Sequence, residues 1–265
     1  MTTIKQVLTS VGSKCALIPF ITAGSPDLDT TEQALYILDQ EGADVIEVGL
    51  PYSDPLADGP VIQEASKNAL AEGVTFEQVL DLIARSSNNL RAPIILFTYY
   101  NPILARGIHK FLLEISEAGV KGLIVPDLPM EEADYVLNLC AKFSIELILL
   151  ITPVSSDVRI DKILTKSQGT VYVVSSTGVT GMKNSIKNEM QHFIEKIKRK
   201  SDNTIIVGFG ISTQEHVEQV SVWDINGIVI GSAFVKCLLS GSRLNKLKEL
   251  RLFCASINKT LLTKI

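Results

Sequence analysis

No stretch of this chain reaches roughly 18 uninterrupted apolar residues, so no membrane span is expected. The amino terminus, MTTIKQVLTSVGSKC, also lacks an apolar run before a small-residue cleavage site and does not read as a secretory signal. There is no C-x-x-C pair. Cys15, Cys140, Cys237 and Cys254 stand far apart, which argues against zinc or redox pairs and fits buried, reduced thiols in a cytosol-like compartment. His109, His192 and His216 are equally scattered, and read as helix-face or surface residues rather than metal ligands or catalytic bases. Positive charge is not in excess: the formal net charge is -4, which gives no general attraction to nucleic acid or anionic membrane, so any anion site must be local. Gly/Ser-rich linkers, low-complexity tracts and blocks of like charge are absent too, and one domain over residues 1–265 is expected.

What is present is a recurrence of apolar, β-branched runs: 16–22, 44–50, 93–99, 121–127, 145–152, 170–176, 204–210 and 227–233. Near-continuous Val/Ile/Leu runs of this kind are strands of a parallel sheet covered on both faces. Between the first two, Asp29 can cap a helix with Glu32 three residues on; Ala34, Leu35, Ile37 and Leu38 mark its apolar face, and Gly42 stops it. Further helical patterns lie at 61–73, 131–143, 187–200, 213–223 and 244–262. Eight strands alternating with helices in 265 residues point to a TIM (β/α)8 barrel, which needs about 250, with an open doubly wound sheet as the alternative. In a barrel, the loops after the strands gather at the C-terminal mouth, where active sites sit.

One of those loops is EVGLPYSDPLADGP, residues 47–60. Side chains alternate along a strand, so Val45, Glu47 and Gly49 share the face opposite Ile46 and Val48, and Glu47 points into the barrel. A carboxylate there is a general acid/base with a raised pKa or a structural group tied to a neighbour; both readings stand. Asp54 and Asp58 follow in a loop stiffened by Pro51, Pro55 and Pro60, either holding a ligand or capping the next helix. STGVTG (176–181), GFGIS (208–212) and GSAF (231–234) end the last three runs, and glycine loops after strands 7 and 8 are the recurrent phosphate site of such barrels. Tyr172 alternates with Val171 and Val173 and can face the same mouth as Glu47, or serve as an ordinary core tyrosine. Phe20, Phe97, Tyr99 and Phe209, near strand ends, could line a slot for a flat apolar ligand.

LIPFITAGSPD (17–27), the 47–60 stretch, GVTG (178–181), GFGIS and GSA together resemble the tryptophan synthase α subunit family over essentially the whole chain. The resemblance implies retro-aldol cleavage of indole-3-glycerol phosphate to indole and glyceraldehyde 3-phosphate by a carbon–carbon lyase without metal or organic cofactor. It implies Glu47 as the acid/base carboxylate, Asp58 as acceptor of the indole N–H, and Tyr172 as the tyrosine steadying the catalytic carboxylate. Thr180, Gly181, Gly210, Gly231 and Ser232 then match the phosphate loops, and Phe20, Tyr99, Ile124 and Phe209 the indole pocket. The family's partner is a PLP-dependent β subunit in an α2β2 heterotetramer, which the 47–60 loop with Asp54 and Pro55, and the regions 99–105 and 127–132, should face. Residues 176–190 would form a lid, although Ser176, Met182 and Lys183 depart from some members. The setting implied is cytoplasm, or plastid stroma for an organelle-encoded chain. Rival readings are a barrel isomerase or aldolase of sugar phosphates, a stand-alone indole-releasing lyase, and a non-catalytic activator of a β partner.

Overall fold

The computed structural model describes residues 3–12, 15–174, 184–208 and 210–263. Eight parallel strands close into a barrel in sequence order: β1 (Ala16–Thr22), β2 (Ile46–Gly49), β3 (Ile94–Phe97), β4 (Gly122–Ile124), β5 (Glu146–Ile151), β6 (Thr170–Val174), β7 (Thr204–Gly208) and β8 (Gly227–Ile230). Ala16 to Pro19 of β1 pair with Gly227 to Ile230 of β8, so the sheet has no free edge. The TIM barrel is therefore the observed fold and the open sheet is not. Each expected run contains its strand, but most strands end sooner than the apolar run. The surplus residues become the loops at the mouth; after β4, for example, Pro126 has no N–H with which to extend the ladder.

Two apolar layers result from the period-two alternation. Ala16, Ile18, Phe20, Val45, Ile95, Phe97, Ile124, Ile148, Tyr172, Ile206 and Val229 fill the barrel. Leu17, Ile21, Ile46, Val48, Leu96, Leu123 and Val171 face outward and pack beneath the helices. Burying some 1.5–3 kcal/mol worth of apolar side chain at each such position is what closes the sheet on itself. Residues 4–10, which carried no helical expectation, form a first helix, α1 (Ile4–Ser10), whose buried Ile4 and Leu8 join the interior cluster. Its N-terminal turn is held by Glu146 at the start of β5, which accepts the Lys5 N–H at 3.0 Å.

The helix between β1 and β2, α2 (Leu28–Gln40), is capped by Asp27, not Asp29. Asp27 is extended at φ -157° and its Oδ1 accepts the Thr30 N–H at 2.6 Å, whereas Asp29 already lies inside the first turn, where a carboxylate favours the helix dipole. Ala34, Leu35 and Leu38 are buried as the pattern predicts, Ile37 is half-buried, and the chain leaves through Gly42 at φ +93°. Near the end of α2, buried Asp39 ties the helix to the start of β3: its Oδ1 accepts the Arg91 and Ala92 N–H groups at 2.9 and 2.8 Å. Asp39→Ala strands both donors beneath the fold, and about 2–3 kcal/mol of stability is expected to be lost, read as a lower urea midpoint with an unchanged slope.

Of the remaining helices, α3 (Pro60–Ala71) follows the acidic loop. α4 (Phe76–Ser87), α5 (Tyr100–Arg106), α6 (Ile108–Glu117), α7 (Met130–Lys142), α8 (Asp157–Lys166), α9 (Asn184–Lys200) and α10 (Gln214–Val220) complete most of the outer layer. α11 (Ser232–Leu239) starts at the end of β8, and α12 (Arg243–Leu262) packs against α2 and α11. Among the described residues no helix is long and apolar enough to cross a membrane. Among the described residues the cysteines form no disulfide; Cys15, Cys140 and Cys254 are buried as expected, while Cys237 is only half-buried.

Candidate active site

At the C-terminal mouth the strand ends surround a cavity of about 140 Å³. Phe20, Phe97, Val229 and Ile62 give it apolar walls, and Glu47, Asp58 and Tyr172 supply polar groups. The β7 and β8 ends contribute Gly210, Ile211, Gly231 and Ser232. Phe20 and Phe97 meet edge to face with ring centroids 5.7 Å apart. Their fit depends on Gly49, where a Cβ would stand 2.5 Å from the Phe20 ring and force it to shift.

Glu47 sits in the middle of β2, in register with Phe20 on β1 and Ile95 on β3, and only 2% of it is exposed. Its Oε2 has no hydrogen-bond partner among the described residues, yet the side chain lines the cavity. Burial first, and then the negative charge of Asp58, push its pKa up to about 8. At neutral pH such a group holds its proton and can hand it to a ligand atom.

Asp58 approaches from the loop that precedes α3. It does not cap that helix: Gly59 is the N-cap and Pro60 opens the first turn. The Tyr99 hydroxyl, at the N-cap of α5, instead donates to Asp58 Oδ2 at 3.0 Å and accepts the Ala57 N–H at 3.1 Å. Burial raises the Asp58 pKa to about 6, against the opposing effect of the Tyr99 hydrogen bond, so at neutral pH this carboxylate is mostly ionised. The two acids are pushed up by different amounts, Glu47 to about 8 and Asp58 to about 6, and that separation is how one site comes to hold an acid beside an anion near neutral pH.

Tyr172 reaches the same space from β6. Burial, followed by the charges of Glu47 and Asp58, lifts its phenol well above its ordinary range, so it stays a neutral hydroxyl. Its ring lies over Gly208 on β7, where a Cβ would overlap the hydroxyl. α11 opens on the cavity through Gly231 and Ser232 without a side-chain cap, and its first-turn N–H groups and dipole favour an anion.

Eight of the residues singled out in the sequence thus line one cavity: Phe20, Glu47, Asp58, Phe97, Tyr172, Gly210, Gly231 and Ser232. Tyr99 is not in the cavity lining and stands behind Asp58, to which it is hydrogen-bonded. Ile124 is fully buried at the end of β4, in register with Phe97, and does not line the cavity. Thr180, Gly181, Phe209, Ser176, Met182 and Lys183 lie outside the described residues. Asp54 is exposed and Pro55 half-buried on the outer side of the acidic loop, away from the cavity lining. Ile62, Ile211, Val229 and Gly59 were not anticipated. Val229 could have been found by alternation with Gly227 and Gly231, and Ile62 by its place in the first turn after the acidic loop. Among the described residues no group of three or more His, Cys, Asp or Glu could hold a metal ion.

A closed (β/α)8 barrel with two carboxyls, Glu47 and Asp58, lining a cavity at its C-terminal mouth is the frame of an acid/base barrel enzyme. The match to known proteins is specific within that class: the family model of the tryptophan synthase alpha chain fits residues 8–261, and the chain belongs to that family. It is 49% identical over 263 residues to the tryptophan synthase alpha chain of Pyropia yezoensis, covering 99% of this chain and 100% of that one. Against the alpha chain of Acaryochloris marina the identity is 52% over 249 residues, covering 94% and 93%. Among solved structures, the tryptophan synthase complex of Pyrococcus furiosus superposes with a TM-score of 0.84 at 33% identity, covering 93% of this chain and 98% of that one. Tryptophan synthase of Mycobacterium tuberculosis gives 0.88 at 30% identity, covering 98% and 99%. Membership places the chain among the enzymes of tryptophan biosynthesis, as the sequence motifs imply.

Proposed function

We propose that the chain cleaves indole-3-glycerol phosphate to indole and glyceraldehyde 3-phosphate as a carbon–carbon lyase, using no metal or organic cofactor of its own. The observation that carries this reading is the Glu47–Asp58 pair: a buried carboxyl and a half-buried one that line the same aromatic-walled cavity, with nothing basic among the described residues of the lining. Glu47 gives its proton to C3 of the indole ring, which turns the ring into an electron sink. Asp58 accepts the ring N–H and stabilises the positive charge that develops there. The proton of the adjacent glycerol hydroxyl is then withdrawn, by Glu47 now ionised. The C–C bond breaks, its electron pair returns to the ring, and the hydroxyl carbon becomes the aldehyde; the net change is one proton moved from oxygen to carbon. Tyr172 steadies Glu47, and the first turn of α11 with Gly210, Gly231 and Ser232 takes the phosphate.

The same reading gives the chain a PLP-dependent β subunit as partner in an α2β2 assembly, in cytoplasm or plastid stroma. The segments that would face it are laced together at the mouth: Asn101 donates to the Tyr52 hydroxyl at 3.3 Å, and Asp127 accepts the Tyr100 N–H at 2.8 Å. Leu56 and Leu104, 81% and 49% exposed, give that rim an apolar surface of the kind a partner covers. The test is indole release from indole-3-glycerol phosphate by the purified chain, with and without a tryptophan synthase β subunit, across pH. Release that rises with the β subunit is expected, with a bell-shaped profile. Asp58 must be ionised, so activity falls as pH drops through about 6; Glu47 must be protonated, so it falls again as pH climbs through about 8. Folded protein that releases no indole under either condition would return the chain to the other phosphate-handling barrels.

A further inference from the structure

We propose that Tyr99 is a positioning residue for Asp58, a single hydroxyl that fixes both the carboxylate and the loop backbone beside it against the end of β3. This rests on the reading above, in which Asp58 meets the ring N–H of the ligand. Tyr99 is 2% exposed and stands behind the cavity, so its ring adds nothing to the ligand-facing wall. Its oxygen does two things at once: it donates to Asp58 Oδ2 at 3.0 Å and accepts the Ala57 N–H at 3.1 Å.

That arrangement needs a rigid base, and the base is present. The Tyr100 N–H is held by Asp127 at 2.8 Å, which fixes the turn from β3 into α5 and so the position of Tyr99. On the other side, Tyr52 stacks on Tyr99 with ring centroids 5.1 Å apart, and the Tyr52 hydroxyl accepts from Asn101 on α5. Both ends of the acidic loop, Tyr52 at its start and Ala57 and Asp58 near its end, are therefore anchored on the one side chain. A phenol at this place does more than pack. Among the described residues, Glu47 from β2, Tyr172 from β6 and Tyr99 itself bear electrostatically on Asp58, and Tyr99 donates a hydrogen bond to it. Removing that bond takes away the interaction that opposes burial, which favours the protonated form of Asp58.

The experiment is Tyr99→Phe in the full chain, which keeps the ring and its stack on Tyr52 and removes only the oxygen. Two readouts are taken. One is the titration of Asp58 by carbon NMR of aspartate-labelled protein, its signal identified by its loss in Asp58→Asn. The other is the pH profile of kcat/KM for indole-3-glycerol phosphate with the β subunit present. The Asp58 titration is expected to move to higher pH in Tyr99→Phe, with the acidic limb of kcat/KM moving in step and activity at pH 7 falling about tenfold, the size of a lost charge-assisted hydrogen bond. An Asp58 titration unchanged in Tyr99→Phe overturns the inference, because packing without the hydroxyl would then suffice. A titration that moves while the activity profile stays put overturns the positioning role in the reaction. Absence of indole release from the unsubstituted chain is a different failure: it removes the proposed function and leaves the NMR titration to decide the Tyr99–Asp58 bond.

Discussion

Glu47→Gln folds, keeps the shape of the cavity and loses indole release, with kcat lower by about 10³-fold or more, because the amide cannot deliver or take back a proton. The same substitution is expected to alter stability in a direction peculiar to a buried acid. The folded-state pKa, about 8, lies above the ordinary value of 4.5, so the folded chain binds this proton more tightly than the unfolded chain does. Below pH 4.5 both states are protonated and the stabilisation is fully present. Between 4.5 and 8 only the unfolded chain ionises, so stability is lost as pH rises, to a ceiling of roughly 5 kcal/mol above pH 8. Glutamine does not titrate and lacks this slope. Asp58, also raised, keeps its own smaller slope in both proteins, so the difference between them isolates Glu47. Urea unfolding at pH 5 and pH 9 measures it. Wild-type protein that loses stability toward pH 9 much more than Glu47→Gln supports a protonated Glu47; parallel losses would mean that Glu47 is already ionised at neutral pH, and would remove the proton donor from the mechanism.

The placement of Glu47 was legible because it depends only on alternation along a strand: Val45 inward and Ile46 and Val48 outward leave no other direction for it. The barrel was legible for a similar reason, since eight doubly covered strands separated by helices leave few ways to satisfy every backbone group. The partner of Asp58 was not. Tyr99 lies 41 residues away, and the two meet only because β2 and β3 are neighbours and the acidic loop folds back over the end of β3. No local pattern encodes that return. The helix cap at Asp27 was misplaced for a smaller reason: Asp27 and Asp29 are both sound N-caps with helical residues after them, and the choice falls to the one whose backbone stays extended. The role of α1 also lay beyond local patterning, because burial of Ile4 and Leu8 under the barrel is a tertiary event.

Gly208→Ala tests whether the ring of Tyr172 sets the site, and it should do so without disturbing the ladder around it. Gly208 ends β7, paired with Val174, and lies on the same inward face as Ile206, the partner of Tyr172. The ring of Tyr172 occupies the place where a Cβ of residue 208 would stand. A methyl group there would overlap the hydroxyl and stand only 2.6 Å from Cζ, so the phenol must move. β7 is held in register on both sides, so the side chain yields before the strand does. A tyrosine displaced toward the cavity takes space from the ligand and shifts a hydroxyl that acts electrostatically with Glu47 and Asp58. The expected loss is about 10²-fold in kcat/KM, with 1–3 kcal/mol of stability lost to overpacking and an unchanged far-UV spectrum. Tyr172→Phe removes the worst of the overlap. In that background the added methyl should cost less than it does beside tyrosine, so the two substitutions should be non-additive. Additive effects would mean that the methyl acts on the strand, while an unchanged rate in Gly208→Ala would show that the position of Tyr172 does not limit the reaction.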